Sequence, residues 1–256
     1  MQMKPNRRTQ LLRALEIDVW TRQSPTPIQT PADSLVKRRH APGASNDLLL
    51  NPTASAVPEF LPEPIAYTAP DDWPGLAEAV SGCLRCKLCK TRTKTVFGVG
   101  PQTAPLLVIG EGPGADEDAQ GEPFVGRAGK LLDEMLKSIG RSRTGNTYIA
   151  NVVKCRPPGN RDPEAEEVAA CRPYLDRQIE LIKPKLIVAL GRIAAQRLLS
   201  TDAPLSKLRG PLYEYGTAKT PVLITYHPAY LLRSPGEKAK SWADLKRVYR
   251  FLVESA

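Results

Sequence analysis

The sequence predicts an α/β fold, a three-layer α/β/α sandwich around a central four-stranded parallel sheet, preceded by a largely disordered N-terminal arm. Four short apolar runs have the length and composition of buried parallel strands. Helical patterns alternate with these runs, which is typical of a parallel sheet covered on both faces. The composition changes near Trp73, because 11 of the 25 prolines lie in residues 1–75. The 256-residue chain is therefore expected to comprise the arm, residues 1–75, and one domain, residues 76–256.

The arm combines its prolines with Ser, Thr and Ala, a composition that does not support a packed core. Within it, residues 10–20 read QLLRALEIDVW and place apolar side chains on one face of a short helix. Because an isolated helix of this length is marginal in water, the favoured interpretation is a helix docked on the chain's own domain. A peptide that binds a protein partner is the alternative.

In the domain, the predicted strands span residues 106–110, 148–154, 186–190 and 222–226, and the predicted helices span residues 127–139, 163–182, 192–199 and 238–253. Ligands of such sheets bind beyond the carboxyl ends of the strands. The residues that follow each strand are therefore the candidates for a functional site.

The net charge of +9 resides in residues 76–256, since the arm carries eight basic and eight acidic side chains. A basic domain suits a polyanion such as nucleic acid, although solubility alone explains many basic proteins. No run of 18 apolar residues predicts a membrane span, and no secretory signal is recognisable. These features predict a cytoplasmic protein, associated with the nucleoid if the source is a prokaryote.

Four of the five cysteines form two unequal pairs, Cys83 with Cys86 in a C-x2-C and Cys155 with Cys171 across fifteen intervening residues. Reduced thiols in a chain without an export signal favour metal binding over disulfides. The interval between the two pairs is long enough to contain strands and helices. A metal bound by both pairs would therefore cross-link a domain that has its own folded core. The spacing argues against a zinc ribbon but accepts either zinc or an iron–sulfur cluster. Cys89 extends the first segment to CLRCKLC and offers a second C-x2-C pair.

The first strand ends in GEGPGA, residues 110–115, which formally matches a dinucleotide-binding fingerprint. Three features argue against that function. Pro113 lacks an amide for the pyrophosphate, Glu111 adds a negative charge, and the next helix is expected only after a loop over residues 116–126. The glycines instead predict that Glu111 is presented at the mouth of the sheet, with a solvated turn carboxylate as the alternative. In the loop, Phe124 is either a core residue or a stacking platform over a cleft.

Two later strands also end in residues suited to recognition or chemistry. Asn151 interrupts the second strand, where its amide either reads a donor–acceptor edge such as that of a pyrimidine or bonds a neighbouring loop. His227 follows the fourth strand and is well placed for chemistry. Leu231 and Leu232, next to Arg233, form an apolar pair that either wedges into a DNA stack or covers the core.

Together these segments resemble the family 4 uracil-DNA glycosylases, the iron–sulfur class of that activity. No single motif is decisive, and the resemblance depends on their order and spacing across residues 76–254. The matching pieces are Cys83-x2-Cys86, RTKTVFGVG over residues 92–100, GEGPG, GEPFVGRAGKLL, NVVKCRPPGNRDP, the interval to Cys171, and HPAYLLR.

The resemblance implies a uracil-DNA glycosylase-like fold and a DNA repair enzyme that flips uracil out of DNA and hydrolyses its N-glycosidic bond, leaving an abasic site. It implies a [4Fe–4S] cluster, with zinc as the alternative, on Cys83, Cys86, Cys155 and Cys171. It also implies catalytic roles for Glu111 and His227, uracil binding by Gly112, Phe124 and Asn151, and DNA contacts from Leu231, Leu232 and Arg233. The expected partner is uracil-containing DNA. The protein is expected to bind it as a monomer and not to associate with a membrane. A protein partner that binds the arm is a further option.

Two alternatives from other functional classes are considered. A relative that traps uracil-DNA covalently carries an added basic loop with a histidine after the GEGPG-type segment, whereas GEPFVGRAGKLL contains no histidine. A non-catalytic DNA-binding module with a structural metal site is the second alternative. The presence of Glu111, Asn151 and His227 argues against that module.

Overall fold

The structure, a computed structural model, describes residues 67–254. The helix predicted over residues 10–20 lies outside the described residues. The first described helix, α1, spans Trp73–Ser81 and so begins before the expected start of the domain at residue 76. The Asp72 side chain caps it by accepting a hydrogen bond from the Gly75 amide at 2.8 Å.

Beyond α1, each of the four predicted strands is followed by one or two helices, as the sequence predicts. The strands are β1 Leu106–Gly110, β2 Thr147–Asn151, β3 Leu186–Leu190, β4 Tyr213–Tyr215 and β5 Thr220–Thr225. The further helices are α2 Ala115–Gln120, α3 Arg127–Lys137, α4 Ala165–Ile182, α5 Gly191–Leu199, α6 Leu205–Leu208, α7 Pro228–Arg233 and α8 Lys238–Glu254. No helix within residues 67–254 is both long and apolar enough to cross a membrane.

Within residues 67–254 the sheet contains five strands in the order β2-β1-β3-β5-β4, so the predicted count of four is wrong. The four predicted strands are parallel, and β4 adds to the edge in antiparallel pairing with β5. With only three residues, β4 is too short to produce a recognisable hydrophobic period. Its backbone pairing with β5 across a short turn, which the sequence pattern does not report, makes it a strand.

The two faces of the sheet are both covered, which confirms the predicted three-layer architecture. Leu107 and Ile109 of β1 belong to a core with α1, α4 and α5. Leu106 and Val108 of the same strand belong to a second core with α3 and α8. This alternation follows from the two-residue period of a strand.

Several element boundaries differ from the prediction by one to three residues, and β2 shows the largest difference. Strand β2 ends at Asn151, because the amides of Val152 and Val153 bond instead to the carbonyls of Gly110 and Glu111 at the turn after β1. Helix α2 occupies part of the segment expected to be a loop over residues 116–126. Its acidic first turn complements the helix dipole, an N-terminal signal that the sequence analysis missed.

The presence of α2 removes one of the three arguments against a dinucleotide site, because a helix does begin at Ala115, the last residue of GEGPGA. The remaining two are unchanged. Pro113 still lacks an amide, and Glu111 still places a carboxyl group at the turn.

Candidate active site and thiol cluster

A cleft of about 440 Å³ opens at the carboxyl ends of the strands, a volume within the range of ligand pockets. It brings together the residues that the sequence predicts for catalysis and substrate binding: Glu111, Gly112, Phe124, Asn151 and His227. A larger depression of about 770 Å³ lies between the end of α4 and the β4–β5 turn, and none of these five residues lines it. The cleft at the strand ends is therefore the candidate active site.

His227 is oriented by the start of α7. Its Nδ1 accepts a hydrogen bond from the Ala229 amide at 3.2 Å, so the neutral ring carries its proton on Nε2. Burial, together with the charge of Arg233, lowers the pKa of His227 to about 4. At neutral pH the ring is therefore an uncharged imidazole with Nε2–H available as a donor at the cleft.

Phe124 is held in a left-handed backbone conformation, with φ of 56°, that places its ring in the cleft. The Arg143 guanidinium fixes this conformation by donating to the carbonyls of Pro123 and Phe124 at 3.0 and 2.9 Å. The Phe124 ring lies 5.6 Å from the His227 ring, centroid to centroid. The strain of this backbone at a cleft residue is consistent with a functional position.

Asn151 ends β2 with a buried amide that is only 2% exposed. Its Oδ1 has no hydrogen-bond partner among the described residues. Gly110 lies between this oxygen and the Phe124 ring, since a Cβ there would approach Oδ1 to 2.5 Å and the ring to 2.6 Å. An unpaired buried acceptor costs about 1–3 kcal/mol, a cost that a ligand with a suitable donor removes.

Glu111 is half-buried at the end of β1, where its backbone carbonyl accepts a hydrogen bond from the Val153 amide at 3.2 Å. Burial and then the nearby carboxylate of Asp162 raise the pKa of Glu111 to about 7, and Arg192 opposes this rise. Asp162 and Arg192 form an ion pair at 2.7 Å. In the sequence Asp162 belongs to NRDP, and an aspartate before a proline is an ordinary turn residue, so no sequence signal distinguishes it.

The predicted metal ligands lie around one small cavity. Cys83, Cys86, Cys155 and Cys171 all line it, and Cys89 lines it too. The five are free thiols. Within residues 67–254, no three His, Cys, Asp or Glu side chains are arranged to hold a metal ion.

Two basic side chains that the sequence analysis did not single out lie beside these thiols. Arg92 donates to Cys155 Sγ at 3.1 Å, and the Lys154 amide donates to Cys171 Sγ at 3.2 Å. The Lys154 ammonium is 1% exposed and donates to the Asn151 carbonyl at 3.1 Å and to Gln178 Oε1 at 2.6 Å. Burial lowers the pKa of Lys154 to about 8, while the thiols of Cys171 and Cys155 act to raise it. A buried ammonium bonded to neutral oxygens is costly, and negative charge on the thiols would offset that cost.

Comparison with known proteins identifies the family. The model of the uracil DNA glycosylase superfamily matches residues 97–246. The chain belongs to that superfamily, in its type-4 branch. The type-4 uracil-DNA glycosylase of Archaeoglobus fulgidus is 46% identical over 179 residues, which cover 68% of this chain and 89% of the relative. That of Thermotoga maritima is 45% identical over 74% of this chain and 95% of the relative, and that of Sulfurisphaera tokodaii is 42% identical over 70% and 84%.

In this type-4 family member, the three residues predicted to contact DNA are placed differently from one another. Leu231 is 1% exposed and packs in the core beneath α7. Leu232 is 41% exposed, and Arg233 is exposed and lines the cleft. Successive residues of a helix point in directions about 100° apart, so two adjacent leucines do not share one environment. Only Leu232 of the pair is available to a partner molecule in this conformation.

Proposed function

We propose that this protein is a uracil-DNA glycosylase that flips uracil out of DNA and hydrolyses its N-glycosidic bond, releasing free uracil and leaving an abasic site. The observation that carries the proposal is the unpaired, buried Oδ1 of Asn151 in a cleft shared with Phe124 and His227. The type-4 relatives bear this activity in their names. A base inside a duplex does not reach such a cleft, so the nucleotide must be extruded.

Recognition of uracil follows from the hydrogen-bonding groups of Asn151. Uracil presents an N3–H donor beside the O4 acceptor, and an amide offers the complementary acceptor and donor. Asn151 Oδ1 accepts from N3–H, and its amino group donates to O4. Cytosine presents the reversed pair at these positions and is rejected. The Phe124 ring provides a surface on which the flipped base stacks.

The chemical step develops positive charge on the sugar and negative charge on the departing uracil. His227 donates its Nε2–H to a carbonyl oxygen of that anion. Its low pKa keeps the imidazole uncharged, so it stabilises the anion by a hydrogen bond. Glu111, when ionised, lies in the same cleft and stabilises the sugar cation or orients the attacking water.

Binding to DNA uses the edge of the cleft near α7. Leu232 fills the gap that the extruded nucleotide leaves, and Arg233 contacts a phosphate. The exposed position of both side chains supports this assignment. Leu231 contributes by anchoring α7 to the core.

We infer that the thiol cluster holds a [4Fe–4S] cluster through Cys83, Cys86, Cys155 and Cys171. These four thiols come from three segments of the chain and line one cavity together, as the ligands of a single centre must. Arg92 and Lys154 supply positive charge for an anionic cluster. When bound, the cluster would supply a covalent cross-link between segments that are distant in the chain. The absorption spectrum and iron content of anaerobically purified protein test this, and a colourless, zinc-loaded protein would overturn it.

The activity is tested with an oligonucleotide that contains one uracil, incubated with the protein and then cleaved with alkali. Free uracil, repeated turnover and strand cleavage at the uracil position are expected. An oligonucleotide with cytosine or thymine at that position is the control. A shifted but uncleaved band would indicate a non-catalytic binder, and a complex that survives denaturing electrophoresis would indicate covalent trapping.

The cleft is complete within one chain, since every one of its predicted residues lies between residues 111 and 233. This supports catalysis by a monomer. Sedimentation of the active protein tests the point, and activity that depends on a dimer fraction would contradict it.

A further inference from the structure

Two charged side chains approach Glu111, and the excision steps above do not use them. Asp162, in the loop between β2 and α4, lines the same cleft as Glu111, and its carboxylate raises the pKa of the Glu111 carboxyl group. Arg192, in the first turn of α5, binds Asp162 Oδ2 at 2.7 Å. The three side chains come from three separate segments that meet at the carboxyl edge of the sheet.

The loop that carries Asp162 is held firmly. The neighbouring Arg161 binds Glu167 through two contacts of 2.9 and 2.6 Å, and Glu167 is only 1% exposed. Arg161 also donates to the Asp162 carbonyl at 3.0 Å. The loop is therefore attached to the N-terminus of α4, and Asp162 is held at the cleft that Glu111 also lines.

Arg192 is positioned in a similar way. Its Nη1 donates to Gln196 Oε1 at 3.1 Å, and Gln196 in turn donates to the Ala203 carbonyl at 3.0 Å. Gln196 is 7% exposed, so this support is part of the folded body. The ion pair of Asp162 and Arg192 is thus built into the edge of the cleft.

We propose that Asp162 and Arg192 act as a tuning pair that sets the protonation state of Glu111, and so the pH at which uracil excision becomes active. This inference rests on the function proposed above. Asp162 disfavours a second negative charge beside it, while Arg192 favours the charged form of both carboxyl groups. Both residues are positioning residues, because they act on the substrate only through Glu111.

Two other charged groups that line the cleft, Glu117 and Arg161, have partners of their own. Glu117 of α2 accepts hydrogen bonds from the amides of Gly114, Val125 and Gly126. Arg161 is paired with Glu167. His227 is uncharged at neutral pH, and the charge of Arg233 acts on His227. Asp162 and Arg192 are the two charges that act on Glu111 itself.

The sign of the pH dependence follows from the role of Glu111. Burial and Asp162 raise the pKa of Glu111 to about 7, so below that pH much of the carboxyl group is protonated and neither stabilises a cation nor accepts a proton from water. The excision rate therefore rises as the pH increases through that range. Asp162→Asn removes a negative charge and therefore moves the rising, acid limb of the pH–rate profile to lower pH. Arg192→Gln removes a positive charge and moves the same limb to higher pH.

The experiment measures single-turnover uracil excision against pH for the wild type and both variants. Shifts in opposite directions, each on the order of one pH unit, are expected, with similar rates on the alkaline plateau. Asp202→Asn and Arg250→Gln, at exposed positions, are the charge-matched controls and leave the limb in place. A purely structural role would lower the plateau without moving the limb. Unshifted limbs, or shifts in the same direction, would overturn the inference.

A second measurement separates this inference from the proposed function. The Glu111 carboxyl is titrated by infrared difference spectroscopy in the free protein, with Glu111→Gln used to assign the band. The titration midpoint should move down in Asp162→Asn and up in Arg192→Gln whether or not uracil is excised. If the wild type released no uracil at any pH, the proposed function would fail. The titration midpoints of Glu111 would still show whether Asp162 and Arg192 set its protonation state.

Discussion

Asn151 and His227 offer the cleft hydrogen-bonding atoms of opposite kinds. Asn151 presents an acceptor without a partner, and His227 presents a donor because its other ring nitrogen is engaged with the Ala229 amide. Each atom is therefore free for a ligand. Placing such groups in advance is what makes them effective against charge that develops during a reaction.

His227→Ala is expected to lower the single-turnover rate of uracil excision by about 10²- to 10³-fold, the usual effect of losing one donor to a developing anion. The pH profile of the wild type should show no limb from this histidine near neutral pH, since its pKa is about 4. Rapid-quench assays measure both. The variant also loses the cap of α7, so its melting temperature is recorded in parallel. A rate close to that of the wild type would remove His227 from the mechanism.

At the scale of elements, the end of β1 shapes the site for the base. Gly110 allows Asn151 Oδ1 and the Phe124 ring to approach each other closely. A side chain at this position would occupy the space between them. The strand thus contributes to the site through an absent side chain, which explains why a glycine ends an otherwise apolar run.

Gly110→Ala is expected to weaken the binding of free uracil by about ten-fold or more, because overpacking at such contacts typically costs about 1–3 kcal/mol. Isothermal titration calorimetry measures the affinity, and circular dichroism checks the fold. Gly236→Ala is the matched control, since no atom lies within 4 Å of the added carbon there. Wild-type affinity in Gly110→Ala would mean that Asn151 and Phe124 do not form the base site.

The two leucines of α7 are expected to separate stability from DNA binding. Leu231→Ala should lower the free energy of unfolding by about 2–5 kcal/mol, because Leu231 lies in the core. Leu232→Ala should leave stability nearly unchanged and slow excision from duplex DNA more than from single-stranded DNA, because only the duplex leaves a gap to fill. Chemical denaturation and excision assays on both substrates measure these effects. A loss of stability in Leu232→Ala, together with slower excision from duplex DNA in Leu231→Ala, would reverse the proposed roles of the two leucines.

The sequence predicts some secondary-structure elements and misses others. The four apolar runs identify the parallel strands because these strands are buried on both faces, and the three-layer arrangement follows. The edge strand β4 and the six-residue helix α2 are missed, since neither is long enough to show a period. Short elements depend on pairing and capping partners supplied by the rest of the fold.

At the scale of the whole molecule, the thiol cluster connects segments that lie far apart in the chain. The Cys83 and Cys86 segment, the loop after β2 and helix α4 all meet at one cavity. Lys154 extends the connection to the cleft, because its ammonium group donates to the Asn151 carbonyl. A metal bound by these thiols would therefore stabilise one wall of the candidate active site.

Cys155→Ala is expected to lower the melting temperature and the affinity for uracil-DNA together, while single-turnover chemistry at saturating protein is largely retained. Thermal unfolding and fluorescence anisotropy measure the two effects. Cys89→Ala is the matched control, because the assigned ligands do not include Cys89. An unchanged melting temperature and an unchanged affinity in Cys155→Ala would show that the metal-mediated link is dispensable. Equal losses in Cys89→Ala would move the ligand assignment to the second C-x2-C pair.

The sequence by itself determined the fold class, the parallel core of the sheet and the residue types at the strand ends, because these depend on local patterns of burial and turn formation. It therefore identified Glu111, Phe124, Asn151 and His227 as candidates that the structure brings into one cleft. Only the tertiary structure decided which atoms of these residues are unpaired and which charges face them. Asp162 meets Glu111, and Lys154 joins the thiols to Asn151, across contacts between segments distant in the chain. The separate environments of Leu231 and Leu232 were decided in the same way, because burial depends on what packs against a helix.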